Sequence, residues 1–157
     1  MLSRRAKYAL RALVFLAQHR GQGPIQIRDI SERLNIPRKF LEAILLDLRN
    51  EGILQSRKGK EGGYSLERAP DTITFGKIVQ FVDGSFAAVS CIRRDGYARC
   101  EDCPDEKTCV IRCVMKEVWE ATVKIVDETT LEQLLQKANQ LEKANPVEKT
   151  FDLEYQI

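Results

Sequence analysis

The sequence predicts a mainly α-helical protein that carries one small β-hairpin. Three observations lead to this prediction. Apolar residues recur every three or four positions through much of residues 3–51, which is typical of amphipathic helices. A short glycine-interrupted stretch follows at residues 53–66, and a second helical stripe runs through residues 111–126. Between these two helical parts lie five cysteines within twenty-three residues.

Composition places the chain among soluble globular proteins, since 43% of its 157 residues are hydrophobic and 31% are charged. The apolar run near the N-terminus, residues 12–17, is too short to span a bilayer and lacks a signal-peptide cleavage site. We therefore expect a cytoplasmic protein with reduced thiols and no membrane partner. Residues 1–68 carry a net charge of +7 and residues 69–157 a net charge of −5. The basic first half therefore favours binding to a polyanion, most simply nucleic acid.

Three helices are predicted before residue 52. The first runs from Ser3 to His19, the second from Ile27 to Leu34 and the third from about Arg38 to Glu51. Residues 35–37, Asn-Ile-Pro, form a tight turn, because Asn tolerates a left-handed conformation and Pro suits the first turn of a helix. Two short strands follow, at residues 53–56 and 64–66, and they flank a basic glycine-rich tip.

Three helices followed by such a hairpin make a winged helix-turn-helix. In this domain the second helix of the motif enters the major groove with its N-terminal residues near base edges. Arg can bond guanine, Glu can accept from cytosine, and Lys can reach a base or a phosphate. We predict that the DNA-contacting residues are Pro37, Arg38, Lys39 and Glu42 at the helix start, Arg57, Lys58, Lys60 and Tyr64 in the wing, and Arg4, Arg5 and Lys7 in the first helix.

A fourth helix over residues 74–83 completes a DNA-binding domain of residues 1–83. A polar, cysteine-rich loop follows at residues 84–108, then helices over residues 109–143 and a flexible tail at residues 144–157. Helix-turn-helix proteins usually bind near-palindromic DNA as dimers. The long helix from about Cys109 either forms that dimer or packs back on its own chain. The residues predicted for the dimer are Ile111, Val114, Met115, Val118, Trp119, Thr122 and Ile125.

The cysteines are Cys91, Cys100, Cys103, Cys109 and Cys113. Cys100 and Cys103 are spaced as a chelating turn, and Cys109 and Cys113 share one helix face. Thiolates select an iron–sulfur cluster, [2Fe–2S] or [4Fe–4S], or alternatively zinc. A metal-free disulfide switch is a further alternative. The spacing leaves open which four of the five thiols act together.

Several segments resemble the Rrf-two family of bacterial winged-helix regulators, which includes the IscR, NsrR and CymR types. They are AKYALRAL, IRDISERLNIPRKFLEAILLDLRNEGIL, KGKEGGYSL, ITFGKIVQFVDGS and EVWEATVKIVDETTLEQL, and together they extend to about residue 140. The resemblance implies a homodimeric transcription regulator, usually a repressor. It also implies a long dimerisation helix beside a cysteine loop that holds a cluster in many members.

Within this resemblance, Cys91 falls where the first cluster cysteine of the IscR type lies. Cys103 and Cys109 reproduce a five-residue gap of that loop, and Cys113 matches its last cysteine when Trp119 is the anchor. The histidine ligand of the IscR type is replaced by Arg112 or Lys116, and the acidic ligand of the NsrR type by Lys7. His19, the only histidine, ends the first helix, so all-cysteine ligation is the substitute.

The sequence therefore predicts a regulator, not an enzyme, because no phosphate loop, nucleophile elbow or metalloprotease motif is present. A cluster in it would sense iron–sulfur status, redox state or nitric oxide. The first alternative is the same DNA-binding regulator with a structural zinc or a thiol switch, in which a small molecule or a protein partner is the signal. The weaker alternative is a redox protein that uses the winged helix only as a scaffold.

Overall fold

The computed structural model describes residues 2–93 and 96–144. Its helices are α1 (Arg4–Gln18), α2 (Ile27–Leu34), α3 (Arg38–Asn50), α4 (Phe75–Asp83), α5 (Val110–Glu128) and α6 (Leu131–Ala144). Two strands, β1 (Leu54–Arg57) and β2 (Gly63–Leu66), pair antiparallel with Leu54 opposite Leu66. The predicted mainly helical class with one small hairpin is confirmed.

The hydrophobic core lies where α1, α2 and α3 meet the hairpin and the start of α6. Each helix turns the apolar face of its periodic pattern toward this point. Complete burial of one such side chain contributes roughly 1.5–3 kcal/mol, so this cluster is the main source of stability. Its fully buried large side chains are Leu13, Ile30, Ile36, Leu41, Ile44, Leu45, Leu48, Leu54, Ile73, Ile78 and Leu131.

The helix ends are set by local hydrogen bonds that the sequence already suggests. The Ser3 hydroxyl caps α1 by accepting from the amide of Ala6 at 3.0 Å. A capping box precedes α6, since Thr130 and Gln133 exchange side-chain-to-amide bonds of 3.0 and 3.2 Å. The predicted tail at residues 144–157 lies, apart from Ala144, outside the described residues.

The first strand begins one residue later than predicted because Ile53 closes α3 instead. Gly52 takes φ +71° and its amide bonds the carbonyl of Arg49, while the Ile53 amide reaches back to Leu48 at 3.0 Å. This pair of bonds is a Schellman motif, and it consumes the Ile53 amide before the hairpin starts. A bridge between Ile25 and Tyr64, which the sequence did not suggest, adds a third short segment to the hairpin edge.

The two C-terminal helices have different neighbours, although the sequence prediction grouped them together as dimerisation helices. Helix α6 packs along α1, with Leu131 fully buried and Leu134 and Leu135 against the main core. Helix α5 contains no buried residue. The structure thus joins α6 to the first domain and leaves α5 as the extension.

A backbone joint holds α5 and α6 to α4. The Phe75 amide bonds the carbonyl of Thr129, and the Leu131 amide bonds the carbonyl of Ile73, both at 2.7 Å. Gly76 faces Asp127 across the same joint, and a Cβ at this position would have to displace the Asp127 carboxylate. Within the described residues, none of the helices combines the length and the apolar character that crossing a bilayer requires.

Candidate nucleic-acid interface and cysteine centre

The turn before α3 presents the start of that helix to solvent. Asn35 adopts φ +49°, the left-handed conformation expected from its short polar side chain. The guanidinium of Arg11 donates to the carbonyl of Leu34 at 2.6 Å, which fixes the end of α2. As a result the four residues predicted to read bases are all exposed; they are Pro37, Arg38, Lys39 and Glu42.

Two of these residues are paired with each other in the free protein. Arg38 and Glu42 form an i, i+4 ion pair with Nε and Oε1 3.3 Å apart. Both side chains are at least half exposed, so the pair contributes little to stability. On DNA the two groups can exchange this contact for base edges at small cost.

The wing is built on a close backbone approach. A Cβ on Gly62 would overlap the carbonyl of Arg57, and one on Gly63 would overlap the carbonyl of Ile25. The side-chain amide of Gln26 donates to the carbonyl of Lys60 at 2.7 Å and so holds the tip against the start of α2. These contacts keep the basic wing residues Arg57, Lys58 and Lys60 in solvent on a fixed loop.

The remaining predicted DNA contacts differ among themselves. Arg4 and Lys7 are exposed on α1. Arg5 forms an ion pair with Asp47 of α3, so its guanidinium ties two helices together. Tyr64 is half-buried against the main core and pairs with Ile25, which places it at the base of the wing and not at its tip.

Four of the five cysteines lie together. Cys91 is buried in a small cluster with Ala87 and Ile92, and Cys100 packs against this cluster. The Cys100 thiol lies close enough to Cys91 and Cys109 for both neighbours to raise its pKa. Cys109 and Cys100 likewise raise the pKa of Cys103.

Cys113 differs from this group in its exposure and in its neighbours. It is exposed, and its Sγ contacts the Oε1 atom of Glu117, one turn further along α5, at 4.0 Å. An i, i+4 spacing puts Cys109 and Cys113 on one helix face only if both belong to the helix. Cys109 instead stands at the N-cap with an extended backbone, where its Sγ accepts from the amide of Arg112 at 3.4 Å. The four loop thiols are therefore Cys91, Cys100, Cys103 and Cys109.

Two arginines organise the loop around these thiols. Arg99 donates through Nη2 to the carbonyls of Cys103 and Pro104, both at 3.0 Å. Arg112 of α5 donates through Nε to the carbonyl of Cys91 at 3.4 Å. Each guanidinium thus fixes the backbone that carries a cysteine and brings positive charge beside a site that becomes negative on thiol ionisation.

The surroundings of the thiols favour their protonated form. The hydrogen bond with Cys91 and partial burial raise the pKa of Cys100. Partial burial, together with the hydrogen bond with Cys109, raises the pKa of Cys103. Metal ligation requires thiolates, so filling the site must release these protons.

The donor set fits a four-thiolate centre. Sulfur donors select iron–sulfur clusters and zinc, and four cysteines suit either group. Among residues 2–93 and 96–144, no three metal-binding side chains already converge on one point. A metal or cluster would therefore have to draw these four thiols closer together. His19 contacts the carbonyl of Phe15 at the end of α1 and is not part of this set.

Helix α5 carries two apolar faces that point in different directions. Met115 and Trp119, which were predicted for the dimer, are half-buried and pack on the cluster around Cys91. The other face is open: Val110, Ile111, Val114, Val118 and Ile125 have exposed fractions of 75%, 69%, 48%, 52% and 66%. Thr122 lies at the edge of this face and bonds the carbonyl of Val118 at 2.8 Å. An apolar stripe of this length on a helix indicates an interaction surface.

Sequence reasoning missed the residues that hold the site in place. Gln26 and Arg112 are examples, because their roles rest on contacts across 34 and 21 residues of chain. In the sequence, Arg112 stands out only as one of two positions where the IscR type has a histidine. No local signal distinguishes such a side chain from a solvated charge.

Comparison with known proteins places the chain in one family. A family model described as Rrf2, an iron-dependent transcriptional regulator, matches residues 2–137. A helix-turn-helix regulator of Rhodobacter capsulatus named rrf2-like is 41% identical over 142 residues, which are 88% of this chain and 95% of that protein.

Two solved structures share the fold. The structure of CymR, the global cysteine regulator of B. subtilis, is similar with a TM-score of 0.73 at 30% identity, covering 87% of this chain and 97% of CymR. T. potens IscR is similar with a TM-score of 0.70 at 27% identity, covering 90% of each chain. The winged helix, the exposed recognition helix and these matches agree: the chain belongs to the Rrf2 family of DNA-binding transcriptional regulators.

Proposed function

We propose that the protein is a homodimeric repressor whose affinity for DNA depends on an iron–sulfur cluster held by Cys91, Cys100, Cys103 and Cys109. The observation that carries the proposal is the gathering of these four thiols at the N-terminal end of α5. The family description as iron-dependent and the similarity to IscR support it. A cluster, when bound, supplies sensitivity to oxidants, nitric oxide and iron supply.

The exposed stripe of α5 supports the homodimer. In the described chain nothing covers Ile111, Val118 and Ile125. A second copy of the same stripe is self-complementary, as a two-fold interface requires. Two recognition helices related by a two-fold axis read half-sites of a near-palindrome about one helical turn apart.

The chain itself connects the thiols to the DNA-binding domain. Cys91 and Ile92 pack on Met115 and Trp119 of α5, so the position of the loop determines where that helix packs. The other end of α5 is joined to α4 by the bond between Phe75 and Thr129. A rearrangement of the loop therefore changes the angle of α5, and with it the separation of the two wings.

Each part of the site has a separate task in this scheme. The four thiolates hold the cofactor, and Arg99 and Arg112 position the backbone that carries them and offset their charge. Lys39, Arg38 and Glu42 face the major groove, and the wing lysines face phosphates. Phosphate contacts fix the register while base contacts specify the sequence.

The alternative is a structural zinc at the same four thiols, with a small molecule or protein as the signal. The observation that favours it is the similarity to CymR, which is described as a cysteine regulator. Four thiolates close a tetrahedral zinc site without an open position, which suits a structural role. The two hypotheses share the DNA interface. They differ in the metal that is bound and in whether its loss changes the affinity for DNA.

The test is one preparation analysed in three ways. The protein is purified without oxygen, its iron, sulfide and zinc are counted, and the affinity of the metal-containing and metal-free forms for DNA is measured at one salt concentration. Equal iron and sulfide with a tenfold or larger difference in affinity supports the proposal. One zinc per chain supports the alternative. Equal affinity and sequence preference in both forms overturns the regulatory role of the centre.

A further inference from the structure

The outward face of α3 carries an apolar patch beside a basic side chain. Positions 39, 43, 46 and 50 follow one another at helical spacing, and the residues there are all exposed; they are Lys39, Ala43, Leu46 and Asn50. The opposite face of the helix is buried in the core and consists of Leu41, Ile44, Leu45 and Leu48. The patch formed by Ala43 and Leu46 therefore lies on the side of α3 that points away from its own domain.

The charges around this patch suit a polyanion. Both carboxylates of α3 are held in ion pairs, Glu42 with Arg38 and Asp47 with Arg5. The outward face itself contains no acidic residue, and its charge comes from Lys39. A single exposed leucine is ordinary on a protein surface. Here the apolar patch continues directly from a lysine at the start of the helix, on the face that DNA would meet.

We propose that Ala43 and Leu46 read thymine through its 5-methyl group, so that the preferred DNA sequence has a thymine opposite this patch in each half-site. The inference rests on the proposed placement of α3 in the major groove and is independent of the metal centre. In that groove every base presents hydrogen-bonding groups, and only thymine adds an apolar group, its methyl. An apolar side chain against any other base edge would displace water without replacing its hydrogen bonds.

Phe40 is the other apolar side chain exposed on α3, at the same 42% as Leu46. Its ring packs edge-on against the ring of Tyr8 in α1, with the centroids 5.7 Å apart and the planes at 88°. This contact places Phe40 on the flank of α3 that faces α1. We therefore assign the reading of the methyl group to Ala43 and Leu46, and a variant of Phe40 distinguishes the two assignments.

The experiment removes one methyl group at a time from the DNA. The full chain selects its preferred sequences from a random library, and each thymine of the best sequence is then replaced singly by deoxyuridine. Uracil pairs with adenine as thymine does and lacks only the methyl group. We expect one thymine in each half-site at which the replacement weakens binding about fourfold, the effect of burying one methyl-sized group. If every replacement changes the affinity by less than about twofold, the proposal is wrong.

Variants of the protein assign the effect to the patch. Ala43→Ser combined with Leu46→Ser should make binding insensitive to deoxyuridine at that thymine. Leu141→Ser, which alters an exposed leucine of α6, is the matched control and should keep the full sensitivity. Ala43→Gln should shift the preference there from thymine to adenine, because a glutamine amide bonds adenine in bidentate fashion. Full sensitivity in the double variant, or its loss in Phe40→Ala instead, would overturn the proposal.

Arg38→Ala separates failure of this inference from failure of the proposed placement of α3. If Arg38→Ala changes the base preference while deoxyuridine has no effect, α3 lies in the groove and only the reading of the methyl group is wrong. If neither change has an effect, the placement of α3 is wrong and this proposal falls with it. The side chains of Ala43 and Leu46 are exposed, so their replacement leaves the core unchanged, and circular dichroism checks that each variant is folded.

Discussion

The carbonyl oxygen of Ile25 lies against the α-carbon of Gly63, in the space that a side chain at residue 63 would occupy. The backbone of Ile25 also exchanges two hydrogen bonds, of 2.8 and 2.9 Å, with that of Tyr64. The wing is therefore fixed to the start of α2 through backbone contacts, and only glycine permits them at this position.

Gly63→Ala should destabilise the protein and displace the wing. The new methyl group must push away a backbone carbonyl, and overpacking of this kind typically costs about 1–3 kcal/mol. Urea unfolding should show the loss, and affinity for DNA should fall. Gly59→Ala is the matched control, since its Cβ would meet nothing within 4 Å and only its positive φ is strained. If the two variants have the same stability and the same DNA affinity, the close approach has no energetic role.

Lys58→Ala should weaken DNA binding equally on all sequences. Lys58 is exposed on the wing, where we expect it to contact a phosphate and so to carry no sequence information. Removing one phosphate contact should lower the slope of log affinity against log salt by about 0.9. Titrations at four salt concentrations on operator and on unrelated DNA measure this. A loss confined to the operator would identify Lys58 as a base reader instead.

Arg38→Ala should reduce sequence preference and leave the salt slope nearly unchanged. A bidentate contact with one base pair is worth about 1–3 kcal/mol of discrimination. Glu42→Gln is the companion variant, since it releases Arg38 from its ion pair without removing the guanidinium. Binding to a panel of single-base operator variants is the measurement. An unchanged preference in both would place these residues outside the groove.

Cys109→Ala should abolish retention of iron or zinc, whereas Cys113→Ala should retain it fully. The two residues are four positions apart, yet Cys109 lies close enough to Cys103 to raise its pKa, whereas the Cys113 sulfur contacts Glu117. Metal analysis of both variants after identical anaerobic purification decides the matter. Metal loss in Cys113→Ala with retention in Cys109→Ala would reverse the assignment. Circular dichroism on each variant checks that α5 is formed.

The reactivity of Cys100 and Cys103 should rise steeply with pH in the metal-free protein. Their pKa values are raised above the ordinary thiol value, so the folded chain binds these protons more tightly than the unfolded chain does. This contribution to stability is present below the ordinary thiol pKa and is lost as pH rises through the raised values. Alkylation rates followed by mass spectrometry between pH 7 and 10 should show slow reaction of both thiols at low pH. Fast alkylation of both at pH 7 would contradict the raised values.

Val118→Asp combined with Ile125→Asp should convert the proposed homodimer to a monomer. Both side chains lie on the open stripe of α5, with exposed fractions of 52% and 66%, so the change leaves the core of the single chain intact. Lys124→Asp, on the polar face of the same helix, is the charge control. Sedimentation measures the state of assembly. A double variant that remains dimeric would move the interface to another surface.

The sequence by itself determined the helices, the hairpin and the family, because these depend on local pattern. The periodic apolar positions and Asn35 in its turn act within a few residues, and the structure confirms both. The capping box at Thr130 is equally local. The five cysteines and their density were equally plain. What spacing did not determine was the grouping of the thiols, since Cys113 fits the same periodicity as Cys109.

Tertiary structure decided which of these residues work together. The loop packs on Met115 and Trp119, which covers one face of α5 and leaves Val118 and Ile125 exposed. In the sequence these residues form a single apolar stripe, so the two faces cannot be told apart there. The same packing buried Cys91 and brought Cys100 against its cluster, while Cys113 is exposed on α5. Contacts between residues far apart in the chain depend on how whole elements dock, and the local sequence around each cysteine carries no record of that docking.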